Sequence, residues 1–249
     1  MSRKPILRGK TVENESLYPL NQIPGNIIVK FFGHIVYLIS IGKDDLTGDD
    51  ISIAFANAIN GNFHKTPFGL VDVSKGKQAW SIKTVKFEKP FDQKSIRLIS
   101  GRNNLYHSFP GDVDIDNHKK TGSQIIDIWN ERVNLALKNY NDLRTLIVIR
   151  SNDLKSFAIF EEDLSQYSSN DYSWGINKDN NFIAKHKSSH KHVFTWQPDG
   201  SQFTIHKEVP ANVAKFTLKQ PEVLSEKERL KELRYNKKWI HFLLDSEDN

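Results

Sequence analysis

Asp72 and Lys83 lie on either side of the short polar segment Lys75-Gly76-Lys77, and their types suit chemistry at a phosphodiester. A carboxylate on one strand and an ammonium on the next can hold a hard cation and steer a water at phosphorus. Both the attacking and the leaving oxygen need positive charge beside them. The flanking segments read as a hairpin: Phe68–Val73, a turn, then Gln78–Phe87. Strand parity puts Ala79, Ser81, Lys83, Val85 and Phe87 on one face, and Gln78, Trp80, Ile82 and Thr84 on the other. A lysine among mainly apolar neighbours is costly unless it meets a carboxylate or a phosphate. Asp72 is the obvious candidate, and a plain Asp–Lys salt bridge on a solvated hairpin accounts for these residues equally well.

The elements that must position this pair follow from periodicity and capping. Residues 1–25 are polar, carry Pro5, Pro19 and Pro24, and suggest a loosely docked arm. The β-branched and aromatic content of Ile27–Ile41 predicts a strand. Thr47 and Asp50 open a helix over Asp49–Asn60, with Ile51, Ala54, Phe55, Ala58 and Ile59 at helical spacing. A strand is expected over Ser95–Ser100, then a loop over Gly101–Lys120. A helix follows over Gly122–Tyr140, capped by Thr121 with Gln124, with Ile125, Ile128, Trp129, Val133, Leu135 and Leu137 on its apolar face. Thr145–Arg150 and Phe157–Phe160 are further strands. Beyond Leu164 short strands are predicted at Tyr172–Ile176, Phe182–Lys187, His192–Trp196 and Gln202–His206. Ser225 and Glu228 cap a last helix with Leu230, Leu233, Trp239, Ile240 and Leu243 inward. The fold class is therefore α/β of the mixed α+β kind, a central mixed sheet flanked by helices. One domain spans 1–249: an arm over 1–25, a core over 26–165, and a β-rich layer with a closing helix over 166–249, for recognition or dimerisation.

A hydrophobic content of 38% is enough for a packed core. The formal net charge of +5 makes a polyanionic partner plausible without requiring one. With no cysteine, disulfides, thiolate zinc sites and cysteine nucleophiles are excluded. The basic N-terminal residues are not followed by the apolar stretch of a secretory signal, and the longest uncharged run, Phe31–Gly42, is too short for a bilayer. A cytoplasmic protein with no membrane association is expected.

The pattern Asp72 … Ser81-Ile82-Lys83 on a hairpin, preceded by a helix with an acidic start and followed by strand, helix and strand, resembles the PD-(D/E)XK nuclease superfamily. The segments Gly69–Val73, Ala79–Lys86, Leu98–Asn103, Ile128–Val133 and Arg144–Arg150 look like a type II restriction endonuclease, over about residues 45–165. The resemblance implies Mg²⁺-dependent cleavage of double-stranded DNA by a homodimer. Asp72 would bind the metal, and Lys83 would orient or help deprotonate the water. Ser81 departs from the pattern, standing where the family usually has Glu or Asp, so a second acid must come from elsewhere. Asp50 is the first choice because the helix carrying it packs beside the hairpin in this fold. Asp49 is its near equivalent, and Glu88 falls on the opposite face from Lys83. Acidic stabilisation of a helix start explains Asp49 and Asp50 as well.

Candidate DNA contacts are Arg102, Asn103 and Asn104, whose side chains can pair with guanine or adenine edges. Arg102 pairing with Asp114 or Asp116 is the alternative. The basic tip Lys185–His192, with Lys187, His190 and Lys191, suits phosphates or a groove, and a solvated turn equally. Gln197 and Gln202 are further base-reading candidates. His186, His190 and His192 lack the partners of a zinc site, and Asp112–Asp116 lacks the glycine and glutamate of a calcium loop. Two other readings stay open: a nuclease-fold protein that binds DNA without cutting it, and a structure-specific repair nuclease.

Overall fold

The β-branched run after Pro24 forms a helix, α1 (Gly25–Ser40), in place of the expected strand. Period outweighs composition here. Phe31, Ile35, Leu38 and Ile39 are buried while Val29 and Tyr37 are exposed, which is one helical face and not an alternation. The next helix, α2 (Gly48–Ile59), starts on a capping box between Thr47 and Asp50 and stops at Asn60, whose φ of 50° is left-handed. The computed structural model describes residues 16–68, 70–103, 108–109 and 116–241.

After α2 come β1 (Asn62–Phe68), β2 (Val71–Lys75), β3 (Gln78–Lys86) and β4 (Ser95–Arg102). Helix α3 (His118–Leu137) begins earlier than the expected Gly122. Asn117 caps it, accepting from the Lys120 N–H, and the apolar face turns Ile126 and Ala136 inward and Leu137 outward. Then follow β5 (Asp142–Arg150), β6 (Ser156–Asp163), β7 (Tyr172–Ile176), β8 (Phe182–His186), β9 (His192–Gln197), β10 (Gln202–Glu208), β11 (Ala214–Thr217) and α4 (Glu226–Glu232). Helix α4 is short and buries nothing. Leu233, Trp239 and Ile240, expected inward, are exposed, and Leu243 lies outside the described residues.

Among the described residues these elements build a mixed α/β arrangement of four α-helices and two sheets. The first sheet has the order β1-β2-β3-β5-β6-β11 and the second β4-β10-β9-β8-β7. All its ladders are antiparallel except β3–β5, which run parallel from Gln78↔Asp142 to Lys86↔Arg150 with α3 in the connection between them. The sheets do not divide at residue 165: β4 of the expected core joins the second sheet, and β11 of the late region pairs with β6 in the first. One face of the first sheet packs Trp80, Ile82 and Val148 against Phe31 of α1 and Phe55 of α2. On the other face Ala79 joins α3 residues Ile125, Trp129 and Val133 and the second-sheet residues Phe194, Trp196 and Phe203. Leu98 of β4 packs with Ile147 and Phe160. Among the described residues no helix is long and apolar enough to cross a membrane.

Polar groups are buried in the same interior. Arg144 of β5 is 3% exposed and bonds Asp142 at 2.9 Å and Glu161 of β6 at 3.2 Å. Glu161 also accepts from the Trp80 indole N–H and the Tyr18 hydroxyl, each at 2.8 Å. The lead-in from Ser16 to Asn21 is thus pinned to the sheet and is no loose arm. Asn21 donates its main-chain N–H to Glu161, and Tyr18 gives its carbonyl to Arg144. Burial, then the Glu161 carboxylate, holds the Tyr18 phenol well above its ordinary range. Glu161→Ala, which leaves part of this charge unpaired, should cost about 3–5 kcal/mol in urea unfolding. The folded chain keeps the Tyr18 proton where the unfolded chain releases it, so stability present below about pH 10 should fall as pH rises beyond it. Tyr18→Phe should flatten that alkaline decline while costing about 1.5–3 kcal/mol at neutral pH.

Candidate functional site

The register between β2 and β3 runs from Lys75↔Gln78 to Val73↔Trp80, and at the next residue a side chain takes over from the ladder. The Ile82 N–H donates to Asp72 Oδ2 at 2.7 Å, and the Ser81 hydroxyl reaches the same oxygen at 3.4 Å. Both donors sit on Oδ2, so Oδ1 accepts no hydrogen bond among the described residues. Ser81 thus orients the acid; as a hydroxyl it is the poorer ligand for a divalent cation.

Lys83 lies two residues on, along a cleft lined by Ser81, Ser100, Trp129, Thr145 and Lys207. It forms no ion pair or hydrogen bond of its own among the described residues, so the plain salt bridge with Asp72 is not formed. The two charges still feel each other. Burial pushes the Asp72 carboxyl up; the Lys83 charge, the Ile82 N–H and the Ser81 hydroxyl pull it back, and Asp49 pushes it up again. Burial pulls the Lys83 ammonium down, Asp72 supports it, and Arg132 pulls it further down. This is an acid–base pair held away from its ordinary ionisation by desolvation, as functional sites often are.

The second acid is a correction to the expectation. Asp50 is used locally: Oδ1 takes the Lys43 ammonium at 2.5 Å, and Oδ2 takes the Thr47 N–H and hydroxyl at 2.8 Å. Those partners hold its carboxyl below the ordinary range although burial acts against them. Asp49 is exposed at the start of α2, which packs on β1, β2 and β3, and its charge is the one that reaches Asp72. Among the described residues no group of three or more His, Asp or Glu side chains is poised for a metal. A hard cation of the Mg²⁺ kind commonly binds through one or two acids with waters and substrate oxygens completing its shell, and Asp72, with the Asp49 charge acting on it, is the acid that would hold one here.

Arg132 of α3 was not singled out from the sequence. Its guanidinium donates to the Arg102 carbonyl at 2.6 Å, and burial holds it below its ordinary value.

The expected DNA contacts divide. Asn103 is a correction: its side chain is fully buried, with neither amide atom hydrogen-bonded. Asn104 lies outside the described residues. Arg102 is exposed and pairs across strands with Gln202, which pairs with Gln197, so three candidates form one row over β4, β10 and β9. In the basic tip, Lys187 donates to the Asn170 carbonyl at 2.6 Å and Lys191 bonds Glu208 at 2.6 Å. His190 occupies the turn with φ 55°. These cations are exposed but have partners within the fold, closer to the solvated turn than to an open phosphate grip. His192 and His206 stack at 4.0 Å and both reach the Thr195 hydroxyl at 3.0 Å; burial, His192 and Arg97 bring His206 down to about 4.

Compared with known proteins, the chain matches no family model, no curated protein and no solved structure.

The two neighbouring acids can be told apart without an activity. Asp49→Asn removes a repelling charge and should lower the Asp72 pKa in a carboxyl-carbon NMR titration, changing stability by no more than about 0.5 kcal/mol. Asp50→Ala breaks the capping box and should cost about 0.5–2 kcal/mol with a smaller effect on Asp72.

Proposed function

We propose that this chain is a Mg²⁺-dependent endonuclease that hydrolyses phosphodiester bonds in double-stranded DNA, of the type II restriction class. The observation that carries the reading is the Asp72 carboxylate at the parting of β2 and β3, with Lys83 and Asp49 coupled to it by charge. The order α2, β1, β2, β3, α3, β5, with β3 and β5 parallel, supports a restriction-endonuclease-like core.

In this reading Asp72 and Asp49 hold the metal, which when bound would act as a Lewis acid toward the phosphate oxygens. Ser81 and the Ile82 N–H fix Asp72 through one oxygen and leave the other for the ion. Lys83 orients the attacking water and meets the negative charge that builds on the phosphorane oxygens. Its desolvated ammonium gives up a proton more readily than an exposed lysine, so the free amine can also take one from that water. The row Arg102, Gln202 and Gln197 carries the side-chain types that read guanine and adenine edges, and a homodimer would set one site on each strand.

A second reading has its own support. Ser81 stands in the place of an acid, and among the described residues no group of three or more His, Asp or Glu side chains gathers for a metal, which suits DNA binding without hydrolysis. Purified protein, plasmid DNA and Mg²⁺ separate the two. Cutting into discrete fragments is expected, with Asp72→Asn and Lys83→Ala each slowing it by about 10²–10³ while duplex binding persists. A gel shift with no cutting supports the second reading, and undiminished cutting by Lys83→Ala shows that the chemistry is elsewhere.

A further inference from the structure

Arg132 is half-buried and has no counter-charge among the described residues. Its Nη2 is satisfied by the Arg102 carbonyl, but Nη1 is buried and has no hydrogen-bond partner. The other arginines drawn into the interior are matched differently. Arg144 has Asp142 and Glu161, and Arg150 has Asp45 at 2.6 Å as its counter-charge, although its Nε and Nη1 are likewise buried without a hydrogen-bond partner. No ion pair among the described residues includes Arg132.

The surrounding backbone is shaped to admit this side chain. At Gly101 of β4, φ is +140° and a Cβ would lie 1.9 Å from Arg132 Nη1, so any other residue there would displace the guanidinium. β4 is irregular at the same place, where its pairing to β10 shifts between Phe203 and Thr204. Holding an unmatched guanidinium in such a notch is costly unless an anion completes it. Arg132 is also close enough to Lys83 for its charge to be felt there, so both cations serve one neighbourhood.

We propose that Arg132 is a phosphate-binding residue, which receives a phosphodiester group of the DNA backbone beside the one addressed by Lys83. The assignment rests on the phosphodiester substrate proposed above, but it concerns binding and not hydrolysis. The Arg102 carbonyl and the close approach of Gly101 fix the plane of the guanidinium, and the part of this half-buried side chain that stays open is held as a rigid fork of the kind that matches phosphate oxygens.

The test measures binding of a fluorescent DNA duplex across a salt series without divalent metal, alongside plasmid cutting with Mg²⁺ by the same preparations. Arg132→Met should weaken binding about tenfold and reduce the slope of log K against log salt by about one, the signature of one lost phosphate contact. Arg132→Lys should keep the slope, because the charge remains, and lose a few-fold in affinity because the fork is gone. If the methionine variant fails to fold, the lysine variant decides alone. Wild-type affinity in whichever variant decides, or no duplex binding by the wild-type chain, overturns the assignment. Arg132-dependent binding with no cutting would leave the phosphate site standing and remove the nuclease. Cutting that proceeds with Arg132-independent affinity would do the reverse.

Discussion

The buried charges at Arg144, Asp142 and Glu161 are the constraint on which the rest of the molecule depends. They link β5 to β6, take the indole of Trp80 in β3, and fasten the lead-in through Tyr18 and Asn21. Charges in an interior add little net stability compared with well-packed apolar residues, but they tolerate very few arrangements, because each wrong one strands an ion. The Trp80 contact therefore sets where β3 lies, and with it Ser81 and Lys83 on the opposite face. A register slip by one residue would turn those two inward toward α1 and α2 and carry Trp80 out.

One or two residues along the same strands the logic is reversed. Around Asp72 the charges are incompletely matched among the described residues: the Asp49 charge opposes that of Asp72, Lys83 is desolvated without an ion pair, and Arg132 has an N–H with no partner. The fold matches its interior charges at Arg144 and leaves several unmatched here, the kind of local conflict that functional sites often retain.

Much of this was legible in the residues. Period-2 alternation gave the faces of β3 correctly, and the late strands fall close to their turn signals. Helix α1 departs from the strand that its β-branched content predicts, because Phe31, Ile35, Leu38 and Ile39 are spaced for one helical face. The local use of Asp50 is also readable in the residues: Thr47 stands three before it, the spacing of a capping box. Arg132 was not legible, since its environment is made by Gly101, distant in the chain, and by the crossing of α3 over the sheet. The burial of Asn103 was hidden for the same reason: its main-chain partners, Ser201 and Trp196, come from the β9–β10 hairpin, far along the chain but next to β4 in the sheet.

The exchange of strands between the two sheets has an architectural consequence. With β4 supplied to the second sheet early in the chain and β11 returned to the first one late, neither layer is a severable module. Shortening the chain after β6 would bare the outer edges of both β4 and β6, each a template for sticking to another chain. The surface of such a scaffold can vary by changing side chains in place, whereas transplanting one layer whole would unstitch the sheet beneath it.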